Sequence, residues 1–248
     1  MRPTGIIFAT LDCDADSIEQ WNRWYDLEHT PPNLAIDGVT LSRRYVAPPE
    51  LHAMRVVDPS SAMANGLGTF VTIYTLCAPP AEVIATMTVV RDELYAAGRM
   101  TFPAEKKVVR PMGGALALVS AVSSKDIALP SEEVPFVGHT AMLVVHRRSS
   151  DPVADWYRTE WAARVADVEG VHGVATYDLD APGEQFDLVH FEGDPLRQTE
   201  AIRGAAPHHD DAVVLADAPF LLINPLDYPW AESIRSSTLP TTVAGGGS

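Results

Sequence analysis

Residues 21–45 read WNRWYDLEHTPPNLAIDGVTLSRRY and set out a helix, a proline stop, a glycine turn and a strand. Ile18, Trp21, Trp24, Tyr25 and then Glu28/His29 follow the helical period. Asp16 or Ser17 can cap the helix start. Pro31-Pro32 ends or kinks the helix, because proline disfavours helical geometry in the residue before it. Asp37-Gly38 turns the chain into a strand over 39–46 that carries Arg43, Arg44 and Tyr45. A second copy follows at 156–177, WYRTEWAARVADVEGVHGVATY. Laid without gaps, Trp24-Tyr25 falls on Trp156-Tyr157, Glu28 on Glu160, Gly38-Val39 on Gly170-Val171 and Tyr45 on Tyr177. Matches in register over such a span point to an internal duplication.

Working outward, 6–11, 69–76 and 113–122 read as further strands, and 81–97 as a helix opened by Pro79-Pro80 and closed by Gly98. The order is β-α-β-β-α-β, a ferredoxin-like unit, over residues 1–122. Residues 47–67 form an irregular, lid-like insertion in it, and 123–136 a polar linker. The order then restarts in 137–230, with strands over 139–146, 171–179, 186–192 and 218–223 and helices over 151–165 and 196–203. Residues 224–236 are expected to wrap the surface. The tail, 231–248, reads as disordered or added by engineering, since it ends in GGGS. Four-stranded units of this kind leave one sheet face bare, and in these strands both parities are apolar. The expectation is an α+β protein whose two repeats pack sheet to sheet as an intramolecular pseudo-dimer. One continuous sheet, or bare faces turned to water, would count against it.

The bulk numbers narrow the function. Hydrophobic residues make up 46% of 248, enough for a sizeable core. A net charge of −15 opposes binding to nucleic acid or to an anionic membrane surface. No apolar run approaches the ~20 residues of a spanning helix. Two cysteines, Cys13 and Cys77, make no disulfide framework, so thiols in a cytoplasmic protein are the expectation. They follow neighbouring strands and are expected to lie close together. Phosphate loops, dinucleotide fingerprints, nucleophile elbows and zinc helices have no counterpart here.

Trp24-Tyr25, then Glu28-His29-Thr30-Pro31, then Gly38, then Arg44-Tyr45 resemble the signature of the dimeric α+β barrel superfamily, and within it the EthD-like branch. The resemblance covers the first copy well and the second in part. It implies an intramolecular dimeric α+β barrel of two ferredoxin-like βαββαβ repeats. The superfamily includes cofactor-free oxygenases, cyclases, dehydratases, isomerases, haem enzymes and stress proteins. In the second copy Trp161 stands where His29 stands, with no proline after it. The GxxDG motif of a haem-peroxidase branch lacks its first glycine, since residues 33–38 read NLAIDG.

His29, near the helix end, suits proton exchange at neutral pH, though a histidine there also caps a helix dipole. Tyr45 and Tyr177 end strands and can donate a phenolic proton. His190 sits between apolar neighbours in FDLVHFEG, where an imidazole needs a partner or a purpose. His139 opens the strand expected beside it, so the two histidines can share a site. Trp24, Tyr25, Arg44 and Tyr74 complete the substrate-binding candidates, with an all-core reading standing against the aromatics. His208-His209-Asp210-Asp211 has metal-ligand types but reads as a solvated loop, and no metal or cofactor is expected. The function expected is a cofactor-independent lyase, dehydratase or cyclase acting on a hydrophobic, aromatic or polyketide-like molecule. Its cleft is expected between the first sheet and helix, under the 47–67 lid. Cofactor-free monooxygenation, ligand binding or a stress role without catalysis, and haem binding are the alternatives. The chain is expected to be a monomer, as a pseudo-dimer, or a homodimer.

Overall fold

The computed structural model describes residues 2–102, 107–237 and 239, except the side chains of 107–112. The final TTVAGGGS lies outside the described residues. The first half holds strands β1 (Gly5–Cys13), β2 (Val39–Val46), β4 (Phe70–Leu76) and β5 (Lys107–Ser123). The second holds β6 (Ala141–Arg148), β7 (Val171–Asp178), β8 (Glu184–Phe191) and β9 (Val213–Leu222). Hydrogen-bonded neighbours run β2-β4-β1-β5-β7-β8-β6-β9, every pair antiparallel, and β9 returns to β2. Each half therefore places its own strands in the same order: second, third, first, fourth.

The α+β class and the large antiparallel sheet match the expectation. The two separate stacked sheets do not, because the sheet is continuous and closes into a barrel. The reason lies at the joins. β5 is long enough to pair with β1 along its first part and with β7 over 117–123. At the other join β2 meets β9 at two positions, Tyr45 opposite Leu222 and Val46 opposite Leu221. The bare faces meet inside the bore rather than across a gap. Phe8 and Phe186, one from each half, touch there at 4.8 Å between ring centres. Ile6, Tyr45, Ile73, Met142, Val144, Tyr177, Leu188 and Phe220 fill the same core.

Helices cover the outside. In the first half α1 (Ile18–Trp24) runs through a π-helical turn at Tyr25–His29 into α2 (Thr30–Leu34). Of the end or kink that the prolines suggested, the end is not found, and the chain stays helical through Pro31-Pro32. They open α2, where missing N–H groups cost little, and the widened turn absorbs the change. In the second half α5 (Asp151–Trp156), a π-helical turn at Tyr157–Trp161 and α6 (Ala162–Ala166) repeat the arrangement at matching positions. Both copies then turn on a glycine of positive φ, Gly38 at 89° and Gly170 at 85°, a region glycine enters without a Cβ penalty. α4 (Pro80–Ala96) and α7 (Pro195–Ala205) are the remaining long helices.

Two stretches read as irregular are ordered. The 47–67 insertion holds α3 (Pro49–Ala53) and β3 (Val56–Val57), and β3 pairs with β9 where β2 has left it. Leu51 and Met63 plug the bore beneath it. The assigned tail begins with α8 (Ala231–Arg235), whose Ala231 and Ile234 are buried against the first-half helix cluster. Cys13 and Cys77 are free, and antiparallel pairing sends them to opposite ends, since Leu76 sits opposite Gly5. Among the described residues no helix is long and apolar enough to cross a membrane.

Candidate functional site

The sequence-predicted residues fall into two groups. Trp24, Tyr25, His29, Arg44 and Tyr74 lie outside the barrel under the first-half helices. The His29 ring packs on Trp24 and Tyr25, at 4.9 and 4.4 Å between centres. Arg44 is buried, pairs with Asp26 at 3.0 Å and lays its guanidinium over the Tyr25 ring at 4.2 Å. The Tyr74 hydroxyl accepts from Asn33 at 3.1 Å, and burial pushes its pKa up. Trp230 and Ile234 join Trp21, Trp24 and Tyr25 in one packed cluster. Asp26 also accepts from the Tyr228 hydroxyl and from the Leu226 amide. The cleft expected between sheet and helix is thus filled by aromatic packing, with the C-terminal segment clasped over it.

Tyr45, His139, His190 and Tyr177 belong to the second group, inside the bore. His139 and His190 lie 4.7 Å apart between ring centres, a proximity that follows from pairing of β6 with β8. The Tyr45 hydroxyl donates to His139 Nε2 at 2.8 Å, and His139 Nδ1–H donates to the Val137 carbonyl at 2.9 Å. With that tautomer, Arg43 Nη1 at 3.4 Å is a neighbour of Nδ1 and not its donor. Arg43 gives its hydrogen bonds to the Pro135 and Phe136 carbonyls instead. Burial takes the His139 pKa down to about 3, with the Arg43 charge adding to it, and raises that of Tyr45. His190 is held well below its ordinary value by burial and then by His139. Acid–base catalysis works best when donor and acceptor titrate near the working pH, and here they are driven apart. The 131–136 turn also seals this end. The hydrogen bonds of the cluster tie β2 to residues 135–139.

The other end of the bore is open. A cavity of about 340 Å3 lies between the β7–β8 hairpin, the end of β6, Gly113-Gly114 of β5 and Ser60–Ala62 of the insertion. His146, 7% exposed, lies in its wall on the same inward parity as Met142 and Val144. Its Nε2 meets Glu184 Oε2 at 3.1 Å, while Arg148 donates to Glu184 Oε1 at 2.9 and 3.0 Å. A carboxylate partner places the proton on Nε2 and leaves Nδ1 as the basic nitrogen. Among the described residues Nδ1 has no hydrogen-bond partner and almost no accessible surface, toward the cavity or toward bulk water. Burial lowers the His146 pKa, and Glu184 acts against that fall. Burial opposes the Glu184 charge, but Arg148 and His146 outweigh it and hold its carboxyl below the ordinary value. Gly114 leaves open space where a side chain would stand.

Reading the chain alone singled out His139 and His190 and passed over His146, Glu184 and Arg43. The signal for His146 was its parity along β6, but the hairpin and insertion that shape the cavity have no local signature. His208 Nε2 pairs with Asp217 at 2.9 Å, and its Nδ1 lies 3.1 Å from the Tyr157 hydroxyl, so that ring ties a loop to the barrel.

No family model and no curated protein matches the chain. Among solved structures, it is similar to a provisionally assigned monooxygenase from Lactobacillus acidophilus. The identity is 12%, the TM-score 0.42, and the match covers 89% of this chain and 100% of that one. It is also similar to a mutant chlorite dismutase from Candidatus Nitrospira defluvii in complex with cyanide. There the identity is 12%, the TM-score 0.43, and 94% of each chain is covered. At this level of likeness no chemistry passes from those proteins to this one.

Proposed function

We propose that the chain is a cofactor-independent enzyme that moves protons on a small, largely apolar organic molecule held in the His146–Glu184 cavity. A lyase of dehydratase or cyclase type is the first choice, and cofactor-free oxygenation the second. One observation carries this reading: a buried imidazole in a cavity wall, oriented by a carboxylate through one nitrogen and basic at the other. To reach a substrate the His146 ring turns Nδ1, which has almost no accessible surface as it stands, toward the cavity; there it takes a proton from an acidic C–H, and Glu184 stabilises the imidazolium that forms. The same proton passes to a leaving hydroxyl, so C–H and C–O bonds break, a C=C bond forms and water departs. Burial of the imidazole strengthens its pairing with Glu184. The barrel order and the matching π-turns support placing the chain as a tandem ferredoxin-like, EthD-like member of the dimeric α+β barrel superfamily.

The test is turnover of a panel of hydroxy-carbonyl compounds, read by mass spectrometry. His146→Ala is expected to lose roughly 10²–10⁴-fold in rate with unchanged circular dichroism. The parent rate is expected to rise with pH through a pKa below 6.5, because the base works deprotonated. Full activity in His146→Ala would overturn the assignment. The solid packing around Trp24 favours a second reading, ligand binding without catalysis, which predicts saturable binding and no product. A Soret band in the purified protein would replace both with haem binding.

A further inference from the structure

A second cavity, of about 240 Å3, opens where β2 runs on past the end of β9. Leu41, Leu222, Ile223 and Pro225 give it apolar walls, and Arg43 and Arg44 line it. The two arginines differ. Arg44 has its charge matched by Asp26 at 3.0 Å. Arg43 makes no ion pair among the described residues, and its guanidinium rests on the main-chain carbonyls of Pro135 and Phe136. In a chain of net charge −15, a half-buried cation without a carboxylate partner runs against the surrounding field. Carbonyl dipoles orient it and leave its charge uncompensated.

We propose that this crevice binds a small monocarboxylate with a compact apolar body, its carboxylate against Arg43 and its body against Leu41, Leu222 and Ile223. A guanidinium matches a carboxylate in shape and charge, and partial burial strengthens the pairing over that at an exposed site. Asp26, Thr30, Ser42 and Asn224 also line the crevice, but the Asp26 charge is paired with Arg44, so one cation is left over, which suits a monoanion; a phosphate dianion asks for more donors. The crevice adjoins the seal at Tyr45 and His139, since the Arg43 guanidinium also lies 3.4 Å from His139 Nδ1. The assignment is independent of chemistry at His146.

Benzoate is the probe, titrated into the full chain by calorimetry and by NMR. Saturable binding is expected, weakened at least tenfold in Arg43→Gln and at high salt. Benzyl alcohol, alike in shape but uncharged, is expected to bind at least tenfold more weakly than benzoate. Because Arg43 also holds the linker, Asn224→Trp is the second variant. It fills the crevice from an exposed rim position and is expected to abolish binding with the thermal midpoint unchanged. Absence of binding up to tens of millimolar benzoate overturns the proposal. So does equal binding of benzoate and benzyl alcohol, or benzoate binding untouched in either variant.

Discussion

Acidification is expected to unfold this protein from about pH 6.5 downward, well before carboxylates begin to titrate. Burial takes His52 and His139 down to about 3, lowers His146 and holds His190 well below the ordinary value. Between the unfolded value of 6.5 and these folded values the unfolded chain binds more protons than the fold. Stability therefore falls as pH falls through that window, and the loss ends only where the folded imidazoles protonate too. Each excluded proton costs about 1.4 kcal/mol per pH unit, so four together cost at most roughly 5.6 kcal/mol for each unit the pH falls. A typical domain holds only ~5–15 kcal/mol in all. Asp217 and Glu184 have lowered pKa values, present stability above the carboxylate range, and extend the loss below it. Relief of the −15 charge works the other way, and moderate salt removes most of that difference. Urea midpoints measured at fixed salt should fall from pH 7.5 to 5.5. A flat midpoint over that span would show that the rings are not held neutral.

Asp187→Ala is expected to cost about 3–5 kcal/mol, because it strands a charge inside the second half. Arg147 and Asp187 are both 0% exposed and meet at 2.6 Å from Nε to Oδ2. Thr176 donates to Asp187 Oδ1 at 2.7 Å, and the Arg147 guanidinium lies over the Tyr157 ring at 4.0 Å. Removing the carboxylate leaves a guanidinium with Ser149 and a ring for company, in a place water does not reach. Replacing both partners, as Arg147→Met with Asp187→Leu, should recover most of the loss, since neither charge then needs solvating. Denaturant unfolding of the two variants beside the parent decides it. A single variant within 1 kcal/mol of the parent would mean that the pair is hydrated.

The strand order was legible because turns and apolar runs are local; that order made a contact of His139 with His190 possible, and the register of β6 on β8 brings it about. The closure was not. Whether bare faces stack or join depends on edge strands, and nothing local in β5 announces that its far part serves the other half. The aromatic stripe of Trp21, Trp24 and Tyr25 was visible as a helical face, but what covered it was not. Trp230 and Ile234 arrive from a segment two hundred residues away that was expected to wrap the surface, with nothing local to say where. A histidine's parity along a strand says that it faces inward. Whether it faces packing, as His190 does, or a cavity, as His146 does, is settled by the loops at each mouth.

The two joins of the ring are unequal. One runs along most of β7; the other is a clasp of two β2–β9 pairs, with the Ile223 amide bonded to the Arg44 carbonyl at 2.8 Å beside it, followed further along β9 by two β3–β9 pairs. Breathing of the ring starts at that clasp, so the Ile223 amide should exchange with deuterium ahead of the amides between β5 and β7. The halves can then part on one side while staying hinged on the other, which gives a closed ring a doorway without any lid.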